Sequence, residues 1–327
     1  MNSVLSSQKQ KRGEPAFHDY RPAQARFRED VLSGLAQSQR RIPPKYFYDE
    51  KGSRLFDAIC RLPEYYPTRT EIRLLKHYGA EMAEYVGEGS VLVEFGSGSS
   101  LKIRVLLDAL EPAAYLPIDI SREHLFQSAK QLAGDYPGVA IHAVCADYSQ
   151  PLGLPGGFAE KPKAGFFPGS SIGNFEPEEA RQFLTRIAAL LGPGSGLLIG
   201  VDLKKEAALL NAAYNDNQGI TAAFNLNLLQ RINRELEGNF DLAGFEHHAL
   251  YNSTKGRVEM HLVSLKDQAV TVSNQTFQFQ AGETLHTENS YKYNIEEFQQ
   301  LASSAGFQSQ RVWTDRENLF SVHYLSL

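Results

Sequence analysis

From residue 90 onward the chain alternates short apolar runs with amphipathic stretches, and no other feature narrows its fold as much. SVLVEFGSGSS reads as a strand entering a glycine-serine loop, and LKIRVLLDAL as a helix with apolar residues at 101, 103, 106, 107 and 110. AAYLPIDIS is a second strand, EHLFQSAKQLAGDY a helix, and VAIHAVCADYS a third strand. AGFFPGSSIGNF, EEARQFLTRIAALLG and GSGLLIGVDL continue the series as strand, helix and strand. Strands separated by helices of this length predict βαβ units and a parallel sheet. The rhythm breaks after Asp202. Residues 204–250 read as mostly helical and 257–290 as strand-like alternation, before NIEEFQQLASSAGF and two closing strands restore the sheet pattern.

The segment before the sheet has its own character. Residues 1–16 are polar and basic and read as a loose tail. Residues 22–40 place Phe27, Val31, Leu32 and Leu35 at helical spacing, and Pro43-Pro44 stops that helix. A tyrosine-dense stretch follows, with helical spacing from Ser53 to Leu62, and Thr70 is the expected cap of a longer helix ending at Val86. With 327 residues, two domains are expected. The predicted division joins 17–69 with 205–292 in one domain and 70–204 with 293–327 in the other. A net charge of −5 argues against a nucleic-acid partner recruited by overall charge. No apolar run reaches membrane length, and MNSVLSSQKQKRGEP lacks the apolar region of a signal peptide. Cys60 and Cys145 stand far apart without a CxxC motif, as in a reduced cytoplasmic protein. The expected molecule is a cytoplasmic monomer with no nucleic-acid or membrane partner.

Strand, glycine loop and helix together make a nucleotide-cofactor signal. The loop Glu94-Phe95-Gly96-Ser97-Gly98-Ser99-Ser100 lacks the third glycine that a dinucleotide fold uses for close helix packing. Asp119 ends the second strand about 20 residues beyond Gly96, where a carboxylate can accept from two ribose hydroxyls. Asp147 ends the third strand beside Tyr148, an acid and a ring suited to the amino group and face of adenine. Singly, either acid reads equally well as a helix N-cap, and the glycine turn as a packing device. Together, at successive strand ends, they point to S-adenosylmethionine (SAM) more than to a dinucleotide, because ligands of such sheets bind there.

Three segments, KYFYDEKGSRLFDAICRLPEYYPTRTE, VEFGSGSSLKIRVLLDAL and GSSIGNF, resemble the SAM-dependent L-histidine Nα-methyltransferases of ergothioneine biosynthesis. TAAFNLNLL, VEM and LHTENS extend the resemblance over roughly residues 25–327. It implies an α/β fold: a Rossmann-like methyltransferase core with a substrate-binding domain built from the N-terminal segment and the insertion. It places the cofactor on Gly96, Lys102, Asp119, Asp147 and Tyr148, with Gly169 and Ser170 lining the methyl-transfer region. The family often has phenylalanine where Tyr148 stands, which keeps the aromatic face. For L-histidine, the resemblance implies Tyr65 and Tyr214 at the carboxylate and Asn174 at the α-amine, with Tyr48 nearby. Glu288 and Ser290 would grip the imidazole, with Met260 beside it. Tyr48 and Asn174 would orient the amine for catalysis.

Each assignment is chemically sensible: phenols donate to a carboxylate, and a carboxylate with a hydroxyl satisfies both imidazole nitrogens. Plainer readings stand beside them. Most of 15 tyrosines must be core or rim residues, Asn174 follows a glycine as turn residues do, and Met260 reads equally as core filling. Glu288 between Thr287 and Asn289 also reads as facing solvent. Lys204-Lys205 reads as a solvated pair, and His142, His247 and His248 form no metal set. The reaction implied is threefold methylation of the α-amine, giving hercynine. Two alternatives remain: N-methylation of another aromatic amino acid, and a non-catalytic SAM-binding regulator. A dehydrogenase is disfavoured by the absent glycine.

Overall fold

The computed structural model describes residues 14–20, 24–98, 100–158 and 161–327. The tail expected over 1–16 lies outside the described residues up to position 13.

The elements follow in chain order. The N-terminal part holds β1 (Ala16–Asp19), α1 (Gln24–Leu35), β2 (Arg40–Arg41), α2 (Glu50–Ile59) and α3 (Tyr66–Val86). The alternating part runs β3 (Val91–Phe95), α4 (Leu101–Leu110), β4 (Ala114–Asp119), α5 (Arg122–Asp135), β5 (Ala140–Cys145), β6 (Lys163–Phe167), α6 (Pro177–Leu191) and β7 (Gly196–Asp202). Then come α7 (Ala207–Tyr214), α8 (Ile220–Glu235), β8 (Phe245–Asn252), β9 (Arg257–Ser264), the hairpin β10 (Gln268–Val272) and β11 (Gln275–Phe279), and β12 (Thr284–Tyr291). The chain closes with α9 (Ile295–Ser304), β13 (Gln308–Thr314) and β14 (Phe320–Ser326).

One eight-stranded sheet has the order β1-β5-β4-β3-β6-β7-β14-β13. Every residue of β3, β6 and β7 is buried, which explains why their runs are mostly apolar, with Glu94, Lys163 and Asp202 as buried exceptions: helices cover both faces of a largely parallel sheet. β14 runs antiparallel between β7 and β13, so the sheet is mixed and not wholly parallel as expected. Phe95, Phe167, Phe183 and Phe298 fill one face, and Leu75, Leu107, Leu132 and Phe166 the other. Each such fully buried side chain contributes roughly 1.5–3 kcal/mol. This is the α/β architecture expected, a sheet with helices on both faces.

A second sheet, β2-β12-β9-β8, joins the N-terminal segment to the insertion through parallel pairing of Arg40-Arg41 with Leu285-His286. A separate apolar cluster packs it, drawn from Phe27, Val31, Leu35, Phe47, Leu228, Leu262 and Leu285 among others. Two boundaries differ from expectation. Ala16–Asp19 pair with His142–Cys145 in the large sheet, so the segment from residue 17 begins there. α3 starts at Tyr66, and Thr70 lies inside it, because Pro67 fits the first helical turn where no donor is required. Among the described residues no helix is long and apolar enough to cross a membrane.

Candidate active site

The order of the large sheet reverses at β3, which has β4 on one side and β6 on the other. A crevice at the carboxyl ends of strands opens at such a point. It is a cavity of about 480 Å³, walled by Gly96, Gly98, Asp119, Asp147 and Tyr148 from the large sheet. Lys45, Tyr48, Phe56 and Asp57 face them from the N-terminal segment. Gly96 has φ +76°, and a Cβ there would stand 3.4 Å from the Tyr148 hydroxyl. Its glycine identity therefore serves both the turn and the close approach of the Tyr148 ring.

Asp119 accepts from the backbone N–H of Ser121 at 2.8 Å and of Gly98 at 3.2 Å. Burial nevertheless pushes its carboxyl above the usual range, with those N–H groups opposing. Asp147 accepts from Ser149 through its backbone N–H at 3.0 Å and its hydroxyl at 2.5 Å, and from Lys45 Nζ at 3.1 Å. Within the loop, Ser97 Oγ is buried with no hydrogen-bond partner among the described residues. A cradle with a close ring, half-buried acids and an orphaned hydroxyl fits a nucleoside carrying hydroxyls and an amino group.

A smaller cavity of about 40 Å³ adjoins the first and shares Tyr48, Phe56, Ser171 and Asn174 with it. Its walls include Tyr65, Gly169, Ser170, Tyr214, Met260, Glu288 and Ser290. The residues come from distant elements. Tyr65 precedes α3, Asn174 closes a short 3-10 turn after β6, and Tyr214 ends α7. Glu288 and Ser290 alternate onto one face of β12, and Met260 of β9 stands opposite Glu288. The pairing slips between His286 and Glu288, a local irregularity that re-aims the strand beside the cavity. The Tyr65 and Tyr214 rings meet edge to face at 6.1 Å.

Glu288 does not face solvent: burial pushes its carboxyl up to about 7, with Lys292 opposing. Burial also holds the Tyr48 and Tyr65 phenols well above their usual range, so both stay protonated. Lys102 lines neither cavity. It pairs at 2.6 Å with the buried Glu71, which accepts the Gly169 N–H at 2.9 Å. The Lys102 ammonium thus lies against Gly169, 3.1 Å from where a Cβ would be.

The sequence reading missed the charges beneath this cavity. Lys292 is buried, and its ammonium meets Asp202 at 2.8 Å, Ser290 Oγ at 2.7 Å and Tyr214 Oη at 3.1 Å. Lys205 is not solvated: it bonds Asp202 at 2.5 Å and the Tyr66 hydroxyl at 2.6 Å, whereas Lys204 reaches Glu297 near the surface. Burial disfavours charge on Asp202, but Lys292 and Lys205 outweigh it and hold its pKa low. The signal was present as alternation, since Glu288, Ser290 and Lys292 are spaced two apart, the first two in β12 and the third just past its end.

The model of the family described as "Histidine-specific methyltransferase, SAM-dependent" matches residues 27–327. A Mycobacterium tuberculosis protein named histidine N-alpha-methyltransferase is 43% identical over 305 residues, 90% of this chain and 93% of that protein. The ergothioneine biosynthesis protein 1 of Neurospora crassa is 33% identical over 300 residues, 88% of this chain and 33% of that protein. A Claviceps purpurea 4-dimethylallyltryptophan N-methyltransferase is 27% identical over 325 residues, 91% of this chain and 94% of that protein.

Proposed function

The chain belongs to the family of histidine-specific, SAM-dependent methyltransferases, and we propose that it methylates the α-amine of L-histidine three times, giving hercynine on the way to ergothioneine. The observation that carries this reading is the smaller cavity. The Glu288 carboxylate, the Asn174 amide and the Tyr65 hydroxyl line it with no side-chain partner among the described residues, beside the cofactor cavity. An unpartnered carboxylate in such a place favours a ligand that brings a donor, as an imidazole N–H does.

SAM is the cofactor, and it supplies an electrophilic methyl group on a sulfonium. In this reading Asp119 holds the ribose, Asp147 and Tyr148 the adenine, and Gly96 gives the backbone room to approach. Lys102, paired with Glu71 and outside both cavities, would reach the carboxylate end of the cofactor only past Gly169, against which its ammonium lies. Tyr65, with Tyr214 beside it, holds the histidine carboxylate, Glu288 and Ser290 the ring, and Met260 packs against it. An ammonium has no lone pair, so each transfer needs a neutral amine. Asn174 Oδ1 accepts from the amine and directs the lone pair. Tyr48, held protonated by burial, is a neutral neighbour and not a base, so water takes the proton. Positioning of this kind can supply about 7–11 kcal/mol of barrier reduction.

The test is incubation with SAM and each of the twenty amino acids, read by mass spectrometry. Histidine should gain up to three methyl groups, all on the α-nitrogen. Preferred methylation of another amino acid, or a methyl group on the ring, overturns the reading.

A further inference from the structure

Lys292 has no place in the assignments above, yet it touches two of the proposed substrate residues. An ammonium carries three donors and no acceptor. Its three partners are Asp202, Ser290 Oγ and Tyr214 Oη, at 2.8, 2.7 and 3.1 Å. Both hydroxyl oxygens must therefore accept from Lys292, and both hydroxyl protons must point elsewhere. Tyr214 gives its proton to Ser290 at 2.8 Å. Ser290 Oγ then accepts twice, which fills its two acceptor positions and leaves only its O–H to offer the cavity. The Tyr214 oxygen is already occupied by Lys292, so the Ser290 proton has no reason to turn back toward it. While Tyr214 keeps that bond, Ser290 can only donate, and the substrate carboxylate accepts from the Tyr65 hydroxyl.

We propose that Lys292 is a positioning residue that, together with Tyr214, makes Ser290 a hydrogen-bond donor toward the substrate, and so selects a neutral ring with one bare nitrogen and one N–H. The inference rests on the histidine reading given above. The bare nitrogen takes the Ser290 proton, and the N–H goes to Glu288 on the same strand face. An imidazolium, with two donors, would set an N–H against the Ser290 O–H. A pyrrole ring would leave the Ser290 O–H unpaired. Lys292 also places a positive charge near Glu288 and the substrate carboxylate.

The experiment compares histidine with 3-(2-pyrrolyl)alanine, which keeps an N–H but lacks the bare nitrogen. Wild type should favour histidine in kcat/KM by roughly tenfold or more, since the site's hydroxyl is otherwise unsatisfied. In Lys292→Met the hydroxyl protons are free to turn, and that preference should shrink severalfold, mainly through KM. SAM affinity reports that the variant is folded. A folded, SAM-binding Lys292→Met that loses activity on both substrates equally overturns the proposal, because a structural role would do that. Should Lys292→Met not fold, histidine labelled with nitrogen-15 in the ring, bound to wild type at neutral pH, decides the matter. One protonated and one bare nitrogen support the proposal, and an imidazolium pattern overturns it. Failure of wild type to bind histidine at all would instead sink the histidine reading.

Discussion

At the scale of single residues, Glu288 shows how burial converts an ordinary acid into a discriminating one. Its pKa is pushed up to about 7 by burial, with Lys292 opposing. It is therefore ionised above about pH 7 and takes a proton as pH falls through that value. A charged acceptor bonds an N–H about twice as strongly as a neutral one. Glu288→Gln keeps an acceptor but cannot ionise. The ratio of wild-type to Glu288→Gln kcat/KM for histidine should thus be large above pH 8 and fall toward one near pH 6. Taking the ratio cancels the titration of the free substrate, and kcat/KM reports the free enzyme. A ratio that stays flat from pH 6 to 8 would remove Glu288 from the ring site. The alternation of Glu288, Ser290 and Lys292 puts them on a shared face, but three polar residues do not say that this face turns inward, and only the motif resemblance ties Glu288 to a site. Lys205 was misread for the same reason: adjacent lysines look alike in sequence, and only the fold sends one inward to Asp202 and the other outward.

At the scale of elements, α2 forms one wall of the larger cavity, where the cofactor is proposed to sit, through Ser53, Phe56 and Asp57. Its start is held by Asp49, which accepts from the Gly52 N–H at 2.7 Å and is held in turn by Asn227 and Arg234. A Cβ on Gly52 would lie 1.7 Å from the carbonyl oxygen of Phe47, so the helix cannot keep its place with any other residue there. Gly52→Ala should cost roughly 1–3 kcal/mol, as overpacking does, and weaken SAM binding as α2 shifts. Gly134, inside α5, has nothing near its missing Cβ. Gly134→Ala should stabilise by about 0.5–1 kcal/mol and leave SAM affinity unchanged. Urea denaturation and calorimetry of both variants would check the contrast. The sheet elements themselves were legible, since β3 to β7 are short, mostly apolar runs divided by amphipathic stretches. The short β1 was not, because four residues at a sheet edge carry too little pattern, and the α3 start was hidden by Pro67.

For the molecule as a whole, acid sensitivity is written into both sheets. Burial lowers His261 in β9 to about 4 and His323 in β14 to about 3. In the unfolded chain both should titrate near 6.5. Between these values the unfolded state binds protons that the folded state refuses, so stability falls as pH drops below 6.5. Each histidine contributes at most about 1.4 kcal/mol per pH unit. Urea denaturation between pH 7.5 and 5 should show this loss, and His323→Gln should flatten its slope even if it lowers stability overall. A pH-independent midpoint across that range would show that neither histidine is held neutral. The presence of two sheets follows from the change of rhythm at Asp202, but their mutual pairing does not. Nothing local tells Arg40-Arg41 to join β12, or β14 to enter between β7 and β13, because such register depends on partners far along the chain.

That last strand order bears on how the protein is made. The β7 strand is complete well before β14 leaves the ribosome, and β13, synthesised in between, does not pair with it. A nascent chain halted before Phe320 therefore carries an apolar strand, Leu197 to Val201, with one open edge. Such an edge invites pairing with other chains and is the kind of surface that chaperones cover. The large sheet closes only when the strand made after all the others slides into the gap they have left.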